Sequence, residues 1–256
     1  MSQPTIEPLP PVAILAGGLA TRLGELTARV PKCLLDIDGE PFLGHQLRLL
    51  AERGVERVVV CAGHLGAQVE RAVSAFTSME RMDVRVSFDG PRPLGTAGAL
   101  RRALPLLGDS FFVLYGDSYL ACDYREVFAS FRRSRQPALM TVHRNEDRWE
   151  TSNVELRDGQ IAAYDKTSPT PRMRHIDYGL GILTQRVLAS IEDGASADLA
   201  DVYRALVERK ALAAHEVAER FYEIGSPAGL AELRALLSRE PGKARLDTHR
   251  AGPGAS

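Results

Sequence analysis

The chain has 256 residues, 45% of them hydrophobic and 25% charged, and its formal net charge is −1. That length can bury a substantial core, while so even a charge balance excludes a general electrostatic footprint for nucleic acid or an anionic membrane surface. Any recognition of anions therefore falls to a few placed cations.

In chain order, "VAILA" (12–16) reads as a strand and "FLGHQLRLLAERG" (42–54) as an amphipathic helix ending at Gly54. Strands follow at 55–63, 84–88, 110–118 and 137–144, alternating with helices at 65–76, 96–107 and 124–134. Short apolar strands alternating with helices predict an α/β fold: a doubly wound, mostly parallel, Rossmann-like sheet covered on both faces. From about residue 145 the texture changes. "SNVELRDGQIAAYDK" (152–166) reads as a hairpin turning at Asp158-Gly159. A strand at 177–183, a helix at 197–210, short strands at 213–217 and 221–225 and a last helix at 228–237 complete a smaller α+β lobe. Without a low-complexity linker, the expectation is a single domain over 10–238, its lobes meeting near 144/145, and a disordered tail over 239–256. No apolar run approaches the roughly 18 residues that span a bilayer. "MSQPTIEPLPP" lacks the basic head and apolar core of a signal peptide. The three cysteines, Cys33, Cys61 and Cys122, form no CxxC, and a cytoplasmic protein is expected.

The first strand runs into Gly17 and Gly18, and two cations follow at Arg22 and Lys32. Glycines at the carboxyl edge of a parallel sheet let backbone N–H groups approach a phosphate. The stretch is nevertheless neither GxGxxG nor GxxxxGK[ST], so neither a nicotinamide oxidoreductase nor a P-loop ATPase is supported. The six histidines are scattered and show no HExxH spacing.

Over residues 15–43, "LAGGLATRLGELTARVPKCLLDIDGEPFL" resembles the signature of sugar-1-phosphate nucleotidylyltransferases, LAGGxGTRL followed by PKPLLPV.GKP. It departs at Ala20, Cys33 and Asp36. Further matches are "PLGTAGAL" (93–100), "LYGDS" (114–118), "YDK" (164–166), "DYGLGI" (177–182) and "FYEIGSPAGL" (221–230), so that the likeness runs from 12 to about 237. The sugar-side stretch is most similar to heptose- and mannose-1-phosphate guanylyltransferases. The resemblance implies a GT-A-like nucleotidyltransferase fold. The implied reaction has a sugar phosphate oxygen attack the α-phosphorus of a nucleoside triphosphate, GTP first among the candidates, with release of pyrophosphate. The nucleophile is already an anion, so the task is neutralisation and in-line positioning rather than base catalysis.

The resemblance also implies the roles. Arg22 takes the β- and γ-phosphates, and Lys32 the α-phosphate and leaving pyrophosphate. Asp117 is a catalytic carboxylate that binds Mg2+ with Glu223, the sequence offering Asp201 as an alternative second acid. Leu15, Ala16, Gly17, Gly18, Gly95 and Thr96 hold the nucleotide, although Thr96 also reads as a helix N-cap. Asp89 either accepts from guanine N1–H and N2–H or forms an Asp-Gly turn. Tyr115, Gly116, Asn153, Lys166 and Asp177 form the sugar-phosphate side, Asn153 and Asp177 having the capacity to bind hydroxyls. UTP, CTP or dTTP specificity, and a catalytically inactive nucleotide-sugar sensor, are the alternatives. The partners expected are a nucleoside triphosphate and a sugar 1-phosphate, with homo-oligomerisation left open.

Overall fold

A computed structural model describes residues 7–18, 29–77 and 82–238. Arg22 and the tail 239–256 lie outside these described residues.

The strands are β1 (Val12–Leu15), β2 (Asp36–Ile37), β3 (Glu40–Pro41), β4 (Arg57–Ala62), β5 (Asp83–Phe88), β6 (Ser110–Tyr115), β7 (Ser118–Tyr119), β8 (Ala138–Arg144), β9 (Val154–Arg157), β10 (Gln160–Tyr164), β11 (His175–Thr184), β12 (Leu212–Glu216) and β13 (Tyr222–Glu223). The helices are α1 (Phe42–Glu52), α2 (Gly66–Thr77), α3 (Gly95–Leu107), α4 (Tyr124–Ser134), α5 (Leu199–Glu208) and α6 (Pro227–Ser238). A nine-stranded sheet of order β5-β4-β1-β6-β11-β8-β12-β10-β9 runs through both halves of the chain.

Local sequence explains the elements. β4 is "RVVVCA", buried at every position after Arg57, as a strand covered on both faces requires. Asp123 caps α4 by accepting from the N–H groups of Arg125 and Glu126. Asp158 and Gly159 both have positive φ, 51° and 73°, the requirement of a two-residue hairpin turn. Apolar side chains of α1, α2 and α4 cover one face of the sheet, and those of α3 and α5 cover the other. A smaller cluster joins Leu233 of α6 to Leu35, Ile37 and Tyr119.

Two expectations are corrected. The sheet is mixed rather than mostly parallel: β5, β4, β1 and β6 are parallel neighbours, as are β8 and β12, but β11 runs antiparallel between β6 and β8. The chain returns after β8 through a hairpin instead of a helical crossover, which reverses the strand direction. The strand expected at 110–118 stops at Tyr115: the chain turns at Gly116-Asp117, and Ser118 and Tyr119 belong to β7 in a separate ribbon. The short strands expected at 213–217 and 221–225 are both present: β12 joins the large sheet and β13 pairs with β7 in a separate ribbon.

Candidate active site

Leu15 of β1 lies beside Tyr115 of β6 in parallel register, so both strands end at one edge of the sheet. The glycines after β1 and the Gly116-Asp117 step after β6 thus face each other. A cavity of about 450 Å³ opens there, and its walls include Gly17, Gly18, Lys32, Asp89, Gly95, Thr96, Tyr115, Asp117 and Gly225. Leu15, Ala16 and Gly116 complete this part of the lining.

Lys32 opens a 3-10 turn whose next residue, Cys33, is buried. The anchored turn sends the ammonium inward, and its Nζ lies 2.6 Å from Asp117 Oδ2. Ser118 Oγ donates to Asp117 Oδ1 at 3.3 Å. Glu223 pairs with Ser118 across β13 and β7, and Ile224 N–H donates to the Asp117 carbonyl at 3.0 Å. Both acids are thereby brought to one ribbon. Glu223 accepts from Ser226 Oγ at 2.7 Å and from Gly225 N–H. Gly225 is needed for space: a β-carbon there would lie 2.7 Å from Lys32 Nζ. Asp201 pairs with Arg204 on α5, well exposed, and does not line the cavity. Among the described residues no cluster of three or more His, Cys, Asp or Glu could hold a metal.

Asp89 follows β5, buried, and accepts from Leu94 N–H at 3.4 Å. Its Oδ2 faces Gly17 and Gly63, so the carboxylate belongs to the cavity wall as well as to its own loop. Burial raises its pKa, against the lowering effect of Leu94 N–H and the Arg102 charge. Thr96 does not cap its own helix, which the structure begins without a side-chain cap. Its hydroxyl instead accepts from Leu199 N–H at 2.7 Å and donates to Asp198 at 3.2 Å, fastening the start of α5 to the start of α3.

Lys166 reaches the same strand end from the other lobe. Its Nζ lies 3.1 Å from Asp177 Oδ2, 3.4 Å from the Tyr115 hydroxyl and 4.8 Å from the Tyr115 ring centre. Asn153 Oδ1 accepts from the N–H of Asp177 at 2.9 Å. Asn153 is buried, the side chain of Asp177 is enclosed, and neither residue lines the cavity. Tyr115 is held neutral by burial and by the charges of Asp177, Asp198 and Asp117, which raise its pKa.

Sequence reasoning missed Gln46. Its side-chain amide, on a residue 1% exposed, donates to the carbonyls of Tyr115 and Ser118 at 3.2 and 2.8 Å, bracketing Gly116-Asp117. The available signal was a polar residue on the apolar face of helix 42–52. A second unused signal is lysine scarcity. The chain has four lysines, Lys32, Lys166, Lys210 and Lys243, and two of them contact residues at the carboxyl end of β6, Lys32 at Asp117 and Lys166 at Tyr115.

Residues 12–211 match the family described as the MobA-like NTP transferase domain. The chain belongs to this NTP transferase family. Among its relatives, the catalytic subunit beta of mannose-1-phosphate guanylyltransferase from Xenopus tropicalis is 29% identical over 220 residues, covering 84% of the chain. The chain spans only 61% of that relative's length. The N-acetylmuramate alpha-1-phosphate uridylyltransferase of Neisseria meningitidis is 29% identical over 232 residues, covering 87% of the chain and 96% of the relative. In fold, this family member superposes on HddC from Yersinia pseudotuberculosis, solved in complex with GMP-PN, with a TM-score of 0.73 and 22% identity, covering 90% of the chain and all of HddC. The family and fold expected from the "LAGG…PKCLL" resemblance are thus borne out.

Proposed function

We propose that the chain joins a nucleoside triphosphate to a sugar 1-phosphate, giving a nucleotide sugar and pyrophosphate, and that GTP with a heptose or hexose 1-phosphate is the preferred pair. One observation carries the reading: Lys32 meets Asp117, and Lys166 meets Tyr115, at the end of a single strand. Two cations from different lobes, flanking one glycine-lined cavity, suit a reaction in which two polyanions must be brought together.

In this reading the backbone around Gly17 and Gly18 and the loop at Gly95 and Thr96 hold the nucleotide. Lys32 leaves Asp117 for the α-phosphate, and its charge counts most as pyrophosphate departs. Lys166 holds the phosphate of the sugar, with Tyr115 and Gly116 forming the floor between the substrates. Arg22, which follows the glycines in sequence, supplies charge for the β- and γ-phosphates. The donor set at Asp117 and Glu223 fits Mg2+, a hard cation that takes one or two carboxylates and completes its shell with phosphate and water oxygens. Such an ion would neutralise phosphate charge beside the reacting centre. No side-chain base is needed, since the attacking oxygen is already ionised.

Asp89 supports guanine: a buried carboxylate accepts two N–H groups from guanine but one from uracil. A second reading, UTP, is favoured by one specific observation, the near end-to-end match to a uridylyltransferase. Pyrophosphate release measured over five common nucleoside triphosphates, crossed with hexose and heptose 1-phosphates, tests both. The expected result is release only when both substrates are present, fastest with GTP and abolished by EDTA. A uniform absence of release across the panel would refute the proposal.

A further inference from the structure

We propose that Asp177 is a positioning residue that holds Lys166 in place for the sugar phosphate, rather than a ligand for sugar hydroxyls. This inference rests on the proposed nucleotidylyltransferase reading for its catalytic meaning, though not for its geometry.

The Asp177 side chain is 3% exposed, too enclosed to present oxygens to a sugar. Its acceptor sites are committed to protein: Oδ1 accepts from Gly179 N–H at 3.1 Å, and Oδ2 takes Lys166 Nζ at 3.1 Å and the Tyr164 hydroxyl at 3.3 Å. The backbone beneath it is fixed as well, because Asp177 N–H donates to Asn153 Oδ1. β11 loses register with β8 between Asp177 and Gly181, and Gly179 in that break has φ +97°. Such bulges re-aim side chains beside sites. Here the bulge lets Asp177 fold back over its own strand to accept from Gly179.

Lys166, its side chain 39% exposed, is flanked by aromatic rings. It lies over the ring of Tyr115 at 4.8 Å and that of Tyr164 at 5.8 Å, and Tyr203 of α5 packs edge-on against Tyr164 from behind. The groups facing the ammonium are therefore Asp177 from β11, Tyr164 from β10 and Tyr115 from β6. Burial lowers the pKa of Lys166, but the charges and hydrogen bonds of Asp177 and Tyr164 together more than offset it and the net shift is upward. The carboxylate thus keeps a half-enclosed ammonium charged and pointing towards Tyr115. A lysine held in this way meets a phosphate without first losing rotamer freedom.

The test uses the full chain, labelled with 13C-lysine. With four lysines, the Lys166 side-chain signal is identified by its loss in Lys166→Arg. In the wild type that signal is expected to titrate above the ordinary lysine value, and in Asp177→Asn its midpoint should fall by at least one pH unit, a tenfold change in proton affinity. A wild-type midpoint near the ordinary value of about 10.4, or an unchanged midpoint in the variant, would overturn the inference. The wild-type arm needs no variant to fold, and neither arm needs turnover, so a chain without transferase activity would defeat the functional reading alone. Kinetics add the second readout. Asp177→Asn should raise KM for the sugar 1-phosphate about tenfold, increasingly so as pH rises through the new midpoint, with KM for the nucleotide within twofold. A KM increase independent of pH would instead mark Asp177 as a sugar ligand and overturn the proposal.

Discussion

Lys32→Met separates a catalytic charge from a structural one. The Lys32–Asp117 pair is short, 2.6 Å, but the two side chains are 16% and 35% exposed, so water screens the carboxylate. A pair of this kind contributes about 1 kcal/mol or less to stability, and methionine keeps most of the aliphatic stem. The melting temperature should therefore fall by only about 2–4 °C in a domain of this size. Turnover should respond on another scale. A preorganised positive donor aimed at developing phosphate charge is worth roughly 10²–10³ in kcat, or about 3–4 kcal/mol of barrier. Thermal melts beside pyrophosphate-release kinetics, with both substrates saturating, give the two numbers from one preparation. A kcat within threefold of wild type would refute the assignment. So would a fall of ten degrees or more with the lost activity tracking the unfolded fraction, because Lys32 would then be a structural ion pair.

Asp89→Asn should lower the preference for GTP over UTP about tenfold, the worth of one charged hydrogen bond; an unchanged ratio would leave Asp89 as a loop residue. The same variant reports on pH. Because burial raises the pKa of Asp89, the native state holds that proton more tightly than the unfolded chain. The wild type therefore gains stability from this group as pH falls through the folded value towards about 3.9. Asp89→Asn should remove that gain and melt no lower than wild type at pH 7. Gly225→Ala inserts a β-carbon against both Glu223 Oε2 and Lys32 Nζ, and is expected to cut kcat about tenfold or more by displacing the carboxylate and the ammonium while the melting temperature changes by only a few degrees. Equal kcat for the two proteins would show that Lys32 does not act from this position.

Much of this molecule is local, and that part was legible in the sequence. The alternation of strands and helices, the glycine break after Leu15, the cap at Asp123 and the Asp158-Gly159 turn each depend on residues within a turn or two of one another. So does the run of motifs that named the family. What depends on partners distant along the chain was not legible. Lys32 finds its carboxylate 85 positions away, and only the parallel seating of β1 beside β6 puts the two together. Thr96 looked like a cap for its own helix and fastens the helix at 199 instead. Asn153 and Asp177 were legible as polar residues, but their partners were not: Asn153 Oδ1 accepts from Asp177 N–H, and Asp177 pairs with Lys166. The direction of β11 within the sheet was likewise decided globally. A period of 2 or 3.6 says which face of an element is buried; it carries no information about which strand lies next to it or which way that neighbour runs.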